Sequence, residues 1–482
     1  MNTFSSFTNM FLLLCSLALL LSNLTEAEYL SYTFHPSSLL SSASHSICDS
    51  SSSKVYEGRG PSSLLVSHRH GPCSPLESEM ASIPTQEEIL KHDKERVESI
   101  RQRVRPKMVE VDRVKQKAML QKALGLPAKS GLTLGIGNYI VTVGLGTPKK
   151  DLSLAFDTGS DLTWTQCTPC GSCYRQAEPI FNPTQSSTYS NITCSSELCS
   201  AVAAATSASP ACSSSTCIYG IQYGDKSITL GYFAKDTLTL GTGGAFVPNF
   251  YFGCGEYNQG LYGVSAGILG LGRNKFSAVS QTASTYGNYF SYCLPSSPSS
   301  TGHLTFGQGA LLSKAINYTS LLTSSANPTF YFVDFQGISV GGRRLAISPT
   351  VFSRGGTIID SGTVITRLPP DAYTALKGAF SAAMVKYPQS PPKSILDTCY
   401  DFSNYTVVSV PKVSLWFGGG ASLDLPPTGI LYGSDISQLC LAFVGNSDAG
   451  DMGTIGNVQQ QTFDVVYDVS GAKLGFGAGG CN

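Results

Sequence analysis

Two short runs constrain this chain more than anything else in it. Leu154-Ala-Phe-Asp157-Thr-Gly-Ser160 and Thr357-Ile-Ile-Asp360-Ser-Gly-Thr363 are copies of one unit, apolar-apolar-Asp-Thr/Ser-Gly-Ser/Thr. Each follows a strand-like run, Tyr139-Ile-Val-Thr-Val-Gly144 in the first half and Tyr331-Phe-Val-Asp-Phe-Gln-Gly337 in the second. Each is followed by an apolar-apolar-Gly partner, Ile268-Leu-Gly270 and the weaker match Thr454-Ile-Gly456. An old duplication that left two similar lobes accounts for this order economically.

The surrounding sequence is β-like. Beyond residue 131, short runs of Val, Ile, Leu, Phe, Tyr and Thr are separated by Gly, Pro, Asn and Ser at spacings suited to strands and tight turns, and helical patterns nearly vanish. With 482 residues, 42% of them hydrophobic, the chain can build substantial cores. Only 13% are charged and the formal net charge is zero, so the whole-chain balance matches neither nucleic acid nor an acidic surface.

An apolar run from Phe11 to Leu21 has the length of a signal peptide and is too short to cross a bilayer as a helix. Thr25 and Ala27 supply small residues for cleavage, so a leader is expected over residues 1–27. No Lys or Arg precedes the run, which leaves a Ser-rich transit peptide as the alternative. The tail Gly480-Cys481-Asn482 is not a lipid-anchor signal, and no membrane anchor is expected. Of fifteen cysteines, Cys15 lies in the leader and Cys48 and Cys73 precede residue 131. The remaining twelve are Cys167, Cys170, Cys173, Cys194, Cys199, Cys212, Cys217, Cys254, Cys293, Cys399, Cys440 and Cys481, an even set that predicts disulfides in an oxidising compartment. Asn191-Ile-Thr, Asn317-Tyr-Thr and Asn404-Tyr-Thr are glycosylation acceptor patterns.

Residues 28–130 differ from the rest: a Ser-rich stretch leads into Lys91–Lys122, where helix-forming residues accompany eleven basic and five acidic ones. The chain therefore divides into a leader, this segment, a first lobe over 131–325 and a second over 326–482.

The chemistry follows from the doubled unit. A lone Asp-Thr-Gly is far more often an ordinary turn than a functional site. Two such turns meeting across a lobe boundary place two carboxylates where both cannot readily ionise, so Asp157 and Asp360 would share one proton around a water. Such a pair is an acid and a base at once, able to draw a proton from water as it attacks a peptide carbonyl, with activity expected at acidic pH. Gly159 and Gly362 permit close approach, and Ser160 and Thr363 can donate hydrogen bonds to the carboxylates.

These residues resemble the pepsin-like aspartic proteases, family A1, most closely the plant nepenthesin-like branch, and His68-Arg-His-Gly-Pro-Cys-Ser-Pro75 is similar to the chloroplast-nucleoid-DNA-binding-protein-like subgroup. The resemblance covers roughly 139 to 480 and implies an all-β, bilobal fold with a central six-stranded sheet and an active-site cleft between β-barrel-like lobes. It implies catalytic Asp157 and Asp360, supported by Thr158, Gly159, Ser160, Ser361, Gly362 and Thr363. Tyr223, in Tyr223-Gly-Asp-Lys-Ser-Ile-Thr-Leu-Gly231, would be the flap tyrosine over bound substrate, braced by Trp164. Lys226 stands where the flap pattern has Gly. The stretch 167–217 resembles a Cys-rich insertion, and the implied bridges are 167–170, 173–254, 194–217, 199–212, 293–481 and 399–440. Residues 28–130 would be an inhibitory propeptide, the protein a monomeric secreted glycoprotein of the apoplast (alternatively of the vacuole or chloroplast), its substrates proteins or peptides.

Other chemistries have little to work with. His303 is the only one of six histidines beyond residue 131, which leaves poor material for a His-rich metal site or a Ser/His or Cys/His nucleophile. Cys167, Cys170 and Cys173 could be read as zinc ligands but lack a partner set, so neither metal nor cofactor is expected. The basic stretch has two readings, a pro-segment that complements the active-site carboxylates or a DNA-binding element, the second diluted by its interspersed acids. Relatives resembling xylanase inhibitors keep the lobes without the reaction, and the intact Asp157-Thr-Gly159 and Asp360-Ser-Gly362 speak against that reading.

Overall fold

A computed structural model describes residues 29–40, 48, 62–76, 84–104, 139–223, 226–241, 244–260, 262–309 and 315–481. The expected leader, the lobe start at 131 and the basic stretch beyond 104 lie outside them.

The N-terminal segment contributes strands β1 (Ser31–Phe34) and β2 (Ser63–His68) and helix α1 (Gln86–Val104). In α1, Leu90, Asp93, Val97 and Ile100 are buried at helical spacing, one face of the cylinder. Thr85 and Glu88 close its start as a capping box, the Glu88 carboxylate accepting from the Thr85 N–H at 2.8 Å and the Thr85 hydroxyl from the Glu88 N–H at 3.3 Å.

The first lobe uses β3 (Tyr139–Leu145), β4 (Lys150–Asp157), β5 (Trp164–Gln166), β6 (Thr216–Gln222), β7 (Ile228–Leu240), β8 (Ala245–Gln259) and β9 (Gly267–Gly270). Strand β9 runs parallel to β4 with Gly270 opposite Asp157, and antiparallel to β5 with Ile268 opposite Trp164. After β10 (Tyr289–Cys293), β11 (Thr301–Phe306) and β12 (Asn317–Leu322), the second lobe repeats the plan with β13 (Thr357–Ile359), β14 (Thr366–Leu368), β15 (Val408–Pro411) and β16 (Gly453–Ile455). Here β16 runs parallel to β13 with Ile455 opposite Ile359, and antiparallel to β14 with Thr454 opposite Arg367. Strands β17 (Phe463–Asp468) and β18 (Lys473–Ala478) close the chain.

The sheet joining the lobes has the order β2-β11-β10-β17-β18-β12. Its six strands include one, β2, from the segment ahead of the lobes. The expected 325/326 boundary falls just after β12, which pairs with β18. Helices beyond residue 131 went unread in the sequence, Ala278–Tyr286 and the longer Pro370–Ala383 among them; the latter buries Ala372, Tyr373, Leu376 and Phe380 at three- and four-residue spacing, with proline in its first turn.

The disulfides correct the implied pairing. Cys293–Cys481 and Cys399–Cys440 form as expected, but Cys167 joins Cys254, Cys170 joins Cys173, Cys194 joins Cys212 and Cys199 joins Cys217. The first exchange follows from strand register: β5 lies parallel to β8 with Thr165 opposite Cys254, so Cys167, two residues on and directed to the same face as Thr165, reaches it. In the second, buried Cys217 meets buried Cys199 against Val202, while the more exposed Cys194 and Cys212 pair with each other. Cys48–Cys73 ties the N-terminal segment to itself. These bridges occupy the cysteines that zinc would need.

Candidate active site

The apolar residues of each unit anchor it, and the turn that follows brings its carboxylate to the boundary. Phe156 and Ile359 are core residues, and the Asp157 and Asp360 backbones are tied to the neighbouring parallel strands, Leu271 N–H donating to Asp157 C=O at 2.8 Å and Asp360 N–H to Ile455 C=O at 3.1 Å. Within each turn the glycine N–H donates back to its aspartate, Gly159 to Asp157 Oδ1 at 2.9 Å and Gly362 to Asp360 Oδ1 at 3.0 Å.

Across the lobes the turns are locked reciprocally. The Thr158 N–H donates to Ser361 Oγ at 3.1 Å and the Ser361 N–H to Thr158 Oγ1 at 2.9 Å. Neither Gly159 nor Gly362 has a positive φ; what they supply is room. A Cβ at Gly159 would stand 2.9 Å from Asp360 Oδ1, and one at Gly362 would stand 2.7 Å from Asp157 Oδ1, each meeting the opposite carboxylate.

The two turns differ in detail. Thr363 Oγ1 donates to Asp360 Oδ2 at 2.5 Å, whereas the buried Ser160 hydroxyl meets Asp157 in a looser geometry that still favours the charged carboxylate. Asn457 Nδ2 and Gln460 Nε2 donate to the Ser361 and Asp360 carbonyls at 2.9 and 3.2 Å, bracing the second turn from behind.

A guanidinium fills the space between the carboxylates. Arg96 Nη2 is 2.7 Å from Asp157 Oδ1 and 3.0 Å from both Asp360 oxygens, and its Nε donates to Asp360 Oδ2 at 3.2 Å. Burial pushes Asp157 up, but the charge of Arg96 and the hydrogen bonds from Ser160 and Gly159 overcome it and hold the carboxyl below its usual range. Asp360 ends above its usual range because burial and the facing Asp157 carboxylate outweigh Arg96 and the Thr363 hydrogen bond.

The rest of α1 runs along the second lobe. Asp93 Oδ1 accepts from the Val364 N–H at 2.5 Å, and its Oδ2 from the Ile365 N–H at 3.3 Å and Arg367 Nη2 at 2.7 Å. Arg101 reaches Asn446 and Asp451, and Arg103 lies over the Phe330 ring. Leu90 packs on Val364 and Ile365, and Ile100 on Phe330, Ile358 and Met452. Neither Arg96 nor Asp93 was singled out in the sequence. The legible signal was a charge, Asp93, standing inside the apolar stripe of a helix.

Opposite, Tyr223 directly follows β6 and faces Trp164, whose Nε1–H donates to its hydroxyl at 2.8 Å. Tyr262 packs edge-on against both rings, and Arg69, just after β2, donates to the Tyr262 carbonyl. Lys226 sits at φ 66°, the left-handed conformation for which the flap pattern uses glycine. Asn191, Asn317 and Asn404 are exposed. His303 is buried in β11 beside Asp464.

Comparison with known proteins agrees with this geometry. The family profiles Xylanase inhibitor N-terminal and Xylanase inhibitor C-terminal match residues 139–308 and 330–478 in succession. An aspartyl protease family protein of Arabidopsis thaliana is 52% identical over 458 residues, 95% of this chain and 94% of its own length. Aspartic proteinase nepenthesin-2 of Nepenthes gracilis is 40% identical over 368 residues, 74% of this chain and 81% of its own. Among solved structures, basic 7S globulin from soybean is similar in fold, with a TM-score of 0.56 at 22% identity over 71% of this chain and 93% of its own.

Proposed function

This chain belongs to the pepsin-like plant aspartic proteases and is an aspartic endopeptidase, and from that premise we propose that Asp157 and Asp360 are its water-activating pair and that the segment ahead of residue 131 is a propeptide holding the pair shut. The observation that carries the reading is that one nitrogen, Arg96 Nη2, touches both carboxylates. Once α1 leaves, a water standing where that nitrogen stood would touch both carboxylates as well.

On that water the pair works as a unit. The ionised carboxylate takes a proton as the water oxygen attacks the scissile carbonyl carbon, and the proton held by the other carboxyl passes to the carbonyl oxygen. Collapse of the resulting gem-diol returns a hydroxyl proton to the second carboxylate as the C–N bond breaks, and the amine leaves with the proton that the water gave up, which restores the singly protonated pair. The reciprocal Thr158 and Ser361 bonds keep the two carboxylates in register across the lobes. Tyr223, braced by Trp164, is the flap residue that covers bound substrate.

The N-terminal segment engages both lobes and the cleft. Strand β2 completes the joining sheet, Arg69 reaches behind the flap tyrosine, and β1 pairs with β15 on the second lobe. Burying Leu90, Val97 and Ile100 adds roughly 1.5–3 kcal/mol each to docking. Within α1, Arg96 and Arg101 face the cleft and leave Lys91 and Lys94 exposed, an arrangement that favours the inhibitory reading of the basic stretch over DNA binding. No helix among the described residues is long and apolar enough to cross a membrane. Secretion as a glycoprotein rests on the apolar leader, the disulfides and the exposed acceptor asparagines.

Acidifying purified precursor and following casein or haemoglobin cleavage tests the pair. Asp157→Asn and Asp360→Asn should each lower the rate roughly 10³-fold or more. Activity equal to wild type in either variant would overturn the assignment.

A further inference from the structure

The donors that hold Asp93 belong to the part of the chain that remains after the propeptide is gone. The Val364 and Ile365 N–H groups and Arg367 Nη2 converge on one carboxylate at 2.5, 3.3 and 2.7 Å. Arg367 is fixed by its other nitrogen, Nη1 donating to the Ile365 carbonyl at 3.2 Å, and its side chain is only 4% exposed. Among the described residues, Asp93 is the carboxylate it is paired with. Departure of α1 would leave a largely buried guanidinium and two backbone donors facing the cleft with nothing negative against them, a costly state that any suitably placed anion relieves.

We propose that Arg367, with the Val364 and Ile365 N–H groups, is a specificity site that selects substrates carrying an acidic side chain near the bond to be cut, Asp93 being the propeptide's imitation of that side chain. The inference rests on the Asp157/Asp360 reading, because that pair locates the scissile bond. Asp93 lies three residues before Arg96 on one helix, a rise of about 4.5 Å. An extended peptide advances about 3.3 Å per residue, which puts the selected side chain about one to three residues from the scissile bond. The backbone plan supports a cleft-lining role. Arg367 is opposite Thr454 in the second lobe as Trp164 is opposite Ile268 in the first, and Trp164 is the residue that braces the flap.

The test uses the mature chain and C-terminally amidated octapeptides that differ only in Glu or Gln, with the substituted residue moved through the three positions on either side of the cleaved bond. At one position the wild type should show a kcat/KM ratio, Glu over Gln, of about 10 near pH 5, shrinking towards 1 near pH 3 as the glutamate takes up its proton. Arg367→Gln should bring the pH 5 ratio close to 1 and Arg367→Lys should keep part of it; each ratio is taken within one protein, so it does not depend on how much of a variant folds. A wild type without preference at any position, or a preference unchanged in Arg367→Gln, would overturn the proposal. An Asp157→Asn protein that cleaves both peptides at the wild-type rate would instead overturn the dyad reading beneath it.

Discussion

Trp164 and Arg367 occupy matching places in the two lobes, each seven residues beyond its aspartate and each opposite the first residue of an apolar-apolar-Gly partner. The similarity ends there. Trp164 is a buried indole that donates to Tyr223 and packs on Tyr262, so the first lobe builds an aromatic wall behind its flap. Arg367 is a cation aimed at the helix lying in the cleft, so the second lobe offers charge and backbone donors. Duplication preserved what the pair of carboxylates requires, two turns of one geometry, and left the next strand free to diverge into walls of opposite character.

The contrast can be broken from either side. The largest effect is expected at Trp164→Ala, which empties a core site and should destabilise the fold by about 3–5 kcal/mol, read as a lower chemical denaturation midpoint; a loss under about 1 kcal/mol would mean that the aromatic wall is dispensable. On the polar side, Arg96→Met in the precursor should weaken propeptide docking by about 3 kcal/mol, because it leaves two buried carboxylates without their cation.

The pH at which peptide cleavage begins on acidification reports that docking. Asp157 is held below its ordinary value by Arg96, so its contribution to docking is present above about pH 3.9 and is lost as the pH falls through the depressed value. Asp360 is raised and therefore takes its proton first, above about pH 3.9, reducing the negative charge facing Arg96. Wild-type release should span both sides of that pH, and Arg96→Met should move the onset upward. An unchanged onset would separate Arg96 from inhibition.

Smaller effects sharpen the comparison of the turns themselves. Thr363→Val should lower activity through loss of a hydrogen bond to a charged group worth about 1.5–3 kcal/mol, whereas Ser160→Ala, which removes a looser contact to Asp157, should cost less, about 0.5–1.5 kcal/mol. Equal losses in kcat/KM would show that the turns act alike. Least of all, Lys226→Gly should raise stability by about 0.5–1 kcal/mol in thermal unfolding, since it relieves a left-handed lysine on the flap side; a lower melting temperature would mean that the lysine side chain has contacts worth more than the strain.

The parts of this molecule that were legible are those whose residues lie close together in the chain. Asp157 with Gly159 and Ser160, and Asp360 with Gly362 and Thr363, are recognisable because a turn is built from neighbours. The Gly270 and Gly456 partners were legible because the duplication repeats them. The helix Pro370–Ala383 escaped notice because its Gly, Ser and Ala content resembles the surrounding strand-and-turn composition, and its apolar spacing alone distinguishes it. Ser160 and Thr363 look interchangeable in sequence, and only packing gave Thr363 the closer hydrogen bond to its aspartate.

By itself, the sequence determined the reaction class and the two-lobed plan, since a doubled Asp-Thr/Ser-Gly unit with matching flanks has few other physical uses, and it determined that the cysteines would be paired. Tertiary structure alone decided which cysteines pair, that Arg96 meets both carboxylates, and that Arg367 holds Asp93. Each of these depends on how segments far apart in the chain are brought into register, Arg96 being separated from Asp157 by 61 residues and from Asp360 by 264. Local composition cannot encode such meetings, because they are fixed by the packing of a helix into a cleft whose walls come from both lobes.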